Sequence, residues 1–218
     1  ANLAKEQGMT LAAVLERPEK VEALAHWGCL AGSDPETVYP QVPGGVIIDF
    51  TAPEASLANA RAAVRHGNPI VIGTTGFTPE QKAELDALAE KGRIFWSPNM
   101  SVGVNVLLEL LPELVEMLGP DYDLEMVELH HNRKKDSPSG TALRLAEALA
   151  SARDWDLKDV ACYHREGIIG ERPKKEIGVQ AIRGGDVVGV HTVYFMGPGE
   201  RIEVTHHAHS RENFAQGA

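Results

Sequence analysis

Between Val46 and Leu118 the chain repeats one pattern three times: a short apolar run, a small-residue loop, then a stretch with apolar positions at helical spacing. The runs are Val46–Phe50 (VIIDF), Asn68–Gly73 (NPIVIG) and Arg93–Trp96 (RIFW). Continuous apolar runs of this length suit strands buried on both faces of a parallel sheet. The helical stretches reach His66, reach Lys91, and span Ser101 to Leu118. Thr51-Ala-Pro-Glu54 predicts a capping box at the first, with the threonine and the glutamate satisfying each other's backbone amides. Thr78-Pro79-Glu80-Gln81 predicts an N-cap, a helix-starting proline and a box glutamine at the second. Strand, loop and helix in repeated order predict an α/β unit with a doubly wound parallel sheet. Upstream, Asn2–Gln7 reads as the tail of a helix stopped by Gly8, and Met9–Leu15 as a strand. Residues 19–44 give only a short helical patch and a loop bearing glycine and proline.

Past Leu118 the pattern changes. Leu124–His130 reads as a strand and Ser139–Ala150 as an amphipathic helix. Three extended stretches follow, Ile177–Arg183, Val187–Phe195 and Arg201–His209, with Gly184-Gly185 and Gly197-Pro198-Gly199 between them. Glycine at both turns predicts an antiparallel meander, and so a second, α+β domain beginning near Ser101. One face of such a sheet is free for the helix and the other for a partner subunit.

Composition narrows the partners. The 218 residues are 43% hydrophobic and carry a formal net charge of −10, which disfavours nucleic acid and anionic membrane surfaces. Cys29 and Cys162 make neither a disulfide framework nor a metal-ligand spacing, which points to a reducing, cytoplasmic address. No apolar run approaches the roughly 18 residues of a membrane span, and no signal peptide is visible. The chain starts Ala-Asn-Leu rather than Met.

Against this acidic background Glu128–Ala142 (ELHHNRKKDSPSGTA) is locally basic and leads straight into a helix. Pro138 fixes the approach, Ser137 or Ser139 can cap, and Gly140 and Thr141 fall in the first turn, where amides lack intrahelical partners. Those amides and the helix dipole form an anion site, but the dipole contributes only about 0.3–1 kcal/mol. Charge-assisted hydrogen bonds of roughly 1.5–3 kcal/mol each must come from Lys134 and the histidines. Donors on both sides of a pocket suit a small dicarboxylate. His130 and Lys134, four apart, share a face in a helical turn, and a histidine titrating near neutrality can pass a proton. Such a charge run taken alone is more often a solvated loop, and Arg133 and Lys135 are read as surface charges.

In open parallel sheets ligands bind beyond the carboxyl ends of the strands. Glu16-Arg17, Gly73 to Phe77, and Ser97 to Met100 lie there. An acidic residue closing a strand accepts from ribose hydroxyls, while an arginine beside it meets a 2′-phosphate. The phosphate-binding G-x-G-x-x-G is absent from the 218 residues; if residues 2 to 7 end its helix, that loop lies before Ala1. His206, His207 and His209 lack a Cys, Asp or Glu at ligand spacing, so no metal is expected. They and His191 are read as sheet-surface or interface residues.

Together these segments resemble the 4-hydroxy-tetrahydrodipicolinate reductase (dihydrodipicolinate reductase) family of bacterial and plant lysine biosynthesis. Glu128–Ala142 carries the likeness, matching E-x-H-H-x-x-K-x-D-(A/S)-P-S-G-T-A. It is supported by Asp49-Phe50-Thr51, Gly73 to Phe77, Ser97 to Ser101, Gly199-Glu200-Arg201 and Ser210-Arg211. Ser137 stands where alanine is commoner. The resemblance implies a Rossmann-type dinucleotide-binding domain, residues 1–101 with 211–218 returning. It further implies a domain of residues 102–210 with a mixed, largely antiparallel sheet that binds substrate and assembles a homotetramer. By it, NADH or NADPH passes hydride to C4 of the ring formed when the hydroxylated substrate loses water. His130 and Lys134 are then the proton donors, and His131, Gly140 and Thr141 hold the substrate carboxylates. Glu16 and Arg17 select the adenosine ribose, while Gly73, Thr74, Thr75 and Ser97, Pro98, Asn99, Met100 line the nicotinamide side. Arg211 and Phe214 sit at the hinge. The alternatives are a non-catalytic dicarboxylate-binding module on the same fold, or another nicotinamide-dependent reductase.

Overall fold

A computed structural model of the chain describes residues 8–218, so the expected helix tail at Asn2–Gln7 lies outside the described residues. The chain divides into two compact units at Met100/Ser101, and residues 211–217 group with the second unit rather than returning to the first.

The first unit is built of short parallel strands. β1 (Ala13–Leu15) pairs with β2 (Leu30–Gly32), and β3 (Ile47–Asp49), β4 (Ile70–Ile72) and β5 (Ile94–Trp96) form a sheet in that order. Of the strand expected over Met9–Leu15 only the last three residues pair, and β2 lies inside the stretch the sequence left unread. One helical turn, α1 (Pro35–Val38), is capped by the Asp34 side chain. The long helices α2 (Pro53–His66) and α3 (Pro79–Ala89) cross between strands, and Leu57, Ala60, Ala63, Ile70 and Ile72 close the core beneath them. The α3 start follows expectation: Thr78 and Gln81 form a complete capping box with Pro79 in the first turn. The α2 start does not. Its N-cap is Ala52, with no side-chain cap, because the Thr51 hydroxyl donates instead to Asp49 Oδ1 at 2.8 Å. A buried carboxylate outcompetes a helix end for that hydroxyl.

The second unit is a five-stranded mixed sheet under two helices. α4 (Val102–Leu118) is capped by Ser101, and α5 (Gly140–Ser151) by Ser139. β6 (Asp123–His130) alternates half-buried and buried positions, so Leu124, Met126, Glu128 and His130 face inward. Leu107, Leu111 and Val115 from α4, with Leu145, Ala146 and Leu149 from α5, pack against that face. A short turn, α6 (Leu157–Val160), leads to β7 (Ala161–Cys162); β8 (Ile177–Arg183), β9 (Gly189–Gly197), β10 (Glu200–Ala208) and α7 (Glu212–Gly217) complete the chain.

The strand order is β10-β9-β6-β8-β7, which overturns the expected meander. β9 and β10 do form a hairpin, but β8 and β9 never pair; β6 lies between them, parallel to β8 and antiparallel to β9. The Gly184-Gly185 segment is therefore a crossover past the end of β6. It bonds there to the histidine segment: Gly184 N–H to His130 O at 3.0 Å, Asn132 N–H to Gly185 O at 3.2 Å, and His131 N–H to Val187 O at 2.8 Å. Local glycine chemistry marks where a chain turns, not which strand receives it.

Candidate functional site

The alternation of β6 puts Glu128 and His130 on one face, and the two neighbouring ladders supply their company. In register, His130 stands opposite Arg183 on β8, and Glu128 opposite His191 on β9. Glu128 is wholly buried. One of its oxygens, Oε2, lies 2.6 Å from His130 Nδ1, and the other accepts from the Ser139 amide at 2.9 Å. Arg183 forks onto both oxygens at 2.7 Å and donates to the Asp136 carbonyl at 2.9 Å. Burial alone would raise the Glu128 carboxyl; the hydrogen bonds from His130, Arg183 and the Ser139 amide outweigh it and hold it at about 2.

His191 is 4% exposed and meets the His130 ring edge-on, centroids 5.2 Å apart. Its Nε2 lies 3.1 Å from Ser139 Oγ. Burial, then the positive potential of His130, pushes it down to about 4, so it stays neutral at physiological pH. The sequence reading of His191 as a sheet-surface residue is thus corrected: a histidine on an alternating strand belongs to whichever face the sheet order assigns.

The connection from β6 to α5 is an irregular turn closed by Lys134 N–H on His131 O, and not the helical turn that His130 and Lys134 were expected to share. The Lys134 ammonium pairs with Asp136 Oδ1 at 2.9 Å. Desolvation raises the Asp136 carboxyl, but Lys134, its own amide and the Gly140 amide together hold it below the ordinary carboxylate range. The Asp136 carboxylate thus pairs with Lys134 in the connection just before the mouth of α5. Gly140 is exposed there, with open space where a Cβ would be, and Thr141 follows half-buried. The helix mouth is accessible to an anion, as the sequence indicated.

His131 Nδ1 accepts from the Arg133 amide at 3.2 Å, which leaves the proton of the neutral ring on Nε2 as a donor. Desolvation, then Arg211, Arg133 and other nearby cations, lowers its pKa and favours that neutral ring. The Arg211 guanidinium stands 3.5 Å from Nε2, a close approach rather than a strong bond. His206 and His207 point to opposite faces of β10: the first reaches Ser101 Oγ at 3.3 Å, the second stacks on His209.

In the first unit the other expected residues stand at the carboxyl ends of β1, β4 and β5. Glu16 follows β1, half-exposed, and accepts from the Arg17 amide at 2.9 Å; the Arg17 side chain is exposed. Asp49 is buried and accepts from Thr51, Ser56 and Thr74 hydroxyls and from Asn59 Nδ2 at 2.7 Å. Thr74, fixed by that knot, accepts from Trp96 Nε1 through its carbonyl at 3.0 Å, while Thr75 is exposed. A Cβ on Gly73 would fall 2.1 Å from the Phe50 ring, so a larger residue there would force that half-exposed ring to move. Ser97 Oγ donates to the Asn99 carbonyl at 2.8 Å; Pro98 is exposed and Met100 buried. An acidic acceptor beyond one parallel strand and exposed backbone and hydroxyl beyond another are the donor set a nicotinamide dinucleotide requires, and these residues fit it.

Sequence reasoning missed Glu128, Arg183, His191 and Asp136. Glu128 and Asp136 carried a signal, as fixed positions of the motif, and Glu128 also stands two residues before His130 on an alternating strand; Arg183 and the burial of His191 carried none.

A parallel-stranded first unit and a mixed-sheet second unit, the latter with a buried histidine–carboxylate pair beside an exposed helix mouth, define a mixed α/β protein of two compact units. Comparison with known proteins is specific. Residues 1–100 match the family described as "Dihydrodipicolinate reductase, N-terminus" and residues 103–218 that described as "Dihydrodipicolinate reductase, C-terminus". The chain belongs to the dihydrodipicolinate reductase family. It is 78% identical over 214 residues to the 4-hydroxy-tetrahydrodipicolinate reductase of Nitratidesulfovibrio vulgaris strain DP4, covering 98% of this chain and 83% of that one. The enzyme of the same name from Geobacter metallireducens is 49% identical over 222 residues, covering 99% of this chain and 84% of its own length. Among solved structures, dipicolinate-bound dihydrodipicolinate reductase from Paenisporosarcina sp. TG-14 superposes with a TM-score of 0.72 at 26% identity, covering 96% of this chain and 82% of that one. The chain is therefore an enzyme, an oxidoreductase that works with NADH or NADPH.

Proposed function

We propose that residues 1–101 hold the cofactor and residues 102–210 the substrate, with His130 and Lys134 as proton donors and His131, Gly140 and Thr141 on the carboxylates. The reaction is reduction of 4-hydroxy-tetrahydrodipicolinate, through dihydrodipicolinate, to tetrahydrodipicolinate, a step of diaminopimelate and lysine biosynthesis. The nicotinamide supplies hydride when bound. Glu16 accepts from its adenosine ribose, with Arg17 beside it able to meet a 2′-phosphate, so both NADH and NADPH are accommodated. Gly73, Thr74, Thr75, Ser97, Pro98, Asn99 and Met100 offer backbone and hydroxyl groups to the nicotinamide side.

One observation carries the substrate assignment: the Lys134 ammonium is held by the Asp136 carboxylate at 2.9 Å, in the connection that leads to the open mouth of α5 at Gly140. A lysine already held by an internal carboxylate beside an open helix mouth can take a substrate carboxylate in its place. His131 Nε2–H adds a donor, and His130 gives its proton from Nε2, the nitrogen not bonded to Glu128. The test is the fall of absorbance at 340 nm when the condensation product of pyruvate and aspartate semialdehyde is supplied. His130→Gln and Lys134→Ala are each expected to lower kcat by about 10²-fold or more; full activity in both would remove these roles.

The enzyme is assigned to the cytoplasm on its two unpaired cysteines, and among the described residues no helix is long and apolar enough to cross a membrane. The homotetramer assignment is supported by Ile182 and Met196, exposed on the sheet face opposite α4 and α5. Light scattering is expected to give the mass of four 23.6 kDa chains.

A further inference from the structure

We propose that Glu128 is a positioning residue for this reaction: it holds His130 in the one tautomer and ring orientation that leave Nε2 as the working nitrogen, and ties that ring to the mouth of α5. This rests on reading His130 as the proton donor. The geometry is direct. An ionised carboxylate has no proton to give, so at 2.6 Å His130 Nδ1 carries the hydrogen and Nε2 is the site that gains and loses one. The opposite oxygen of the same carboxylate holds the Ser139 amide at 2.9 Å, the cap residue immediately before Gly140. One buried group therefore fixes the acid and the first turn of the carboxylate-binding helix relative to each other.

The rest of the pocket serves the same end. Gly189 lies against the ring, and a Cβ there would stand 3.0 Å from Nε2, so a larger residue would press on that nitrogen and displace the ring. The charged and titratable groups around the ring are Glu128 on its own strand, Arg183 on β8, His191 on β9, and His131 and Lys134 in the connection that follows. Arg183 balances the carboxylate, and His191 packs beside the ring without adding charge. A buried ion pair is often no more stable than apolar side chains of the same volume, so stability alone does not account for a wholly buried Glu128.

Nitrogen-15 spectroscopy of the histidine rings in the full-length wild-type protein tests the first half: His130 is expected with the hydrogen on Nδ1. A ring carrying it on Nε2 overturns the proposal without any variant being made. Glu128→Gln tests the second half. Its kcat is expected to fall about 10²-fold with KM changed less than about threefold, because uniform binding is untouched. Glu128→Asp should restore part of the rate. A kcat near wild type, or a KM that rises as far as kcat falls, sinks the positioning role, and a variant that fails to fold leaves the wild-type tautomer to decide. Full activity of His130→Gln would instead strike the donor assignment, so the two failures are separable.

Discussion

Each unit buries one carboxylate against a strand end, and the two are satisfied by opposite means. Asp49 in the first unit is 2% exposed and takes hydrogen bonds from neutral groups: the Thr51 amide, three hydroxyls and the Asn59 amide. Glu128 in the second is 0% exposed and takes them from a guanidinium, an imidazole and one backbone amide. Neutral donors gathered from residues 51 to 74 make a local knot that shapes a loop. Charged partners gathered from two strands, β6 and β8, make a hub whose parts can exchange protons, and that hub is where the chemistry is proposed to lie. Burial of a carboxylate is therefore no sign of catalysis by itself; the company it keeps decides.

The largest effect expected is from Glu128→Ala, which strands Arg183 without its partner. A cost of about 3–5 kcal/mol is expected for breaking a buried pair from one side, read as faster amide exchange in β6 and β8. A change under about 1 kcal/mol would mean the hub is solvated and the contrast with Asp49 is false.

Acid should then act on the hub in two windows. His191 is depressed from 6.5 to about 4, so between those values the unfolded chain takes up a proton that the fold refuses, and stability falls as pH drops. Glu128 is depressed from 4.5 to about 2, so its contribution is complete above 4.5 and is lost as pH falls toward 2. Each is on the order of 3 kcal/mol at roughly 1.4 per pH unit. His191→Asn should flatten the upper window in a series of urea titrations; an unchanged slope there would show that the ring charges in place.

Asp49→Asn is a smaller change, turning one acceptor into a donor among donors. It is expected to cost about 1–3 kcal/mol, with exchange quickened at residues 51 to 59 and at Thr74. Smallest is Thr78→Ala, which removes the capping box of α3 for about 1 kcal/mol and leaves turnover unaltered.

What the sequence revealed was local. The α3 box, the Ser139 cap and the accessible Gly140 mouth each depend on residues within a turn of one another, and all three appear as read. What it hid was long-range. Arg183 reaches Glu128 across 55 positions, and nothing in Ile177–Arg183 declares that it will lie parallel to β6 rather than against β9. β2 was hidden for another reason: three residues, Leu-Ala-Gly, carry too little alternation to separate a strand from a loop.

The position of β6 has a consequence for time. It is laddered on both flanks, to β8 over Leu124–His130 and to β9 over Asp123–Leu129. An edge strand frays alone, but this one yields only when two neighbours let go together, so the imidazole at its tip is held on the slow clock of the whole sheet.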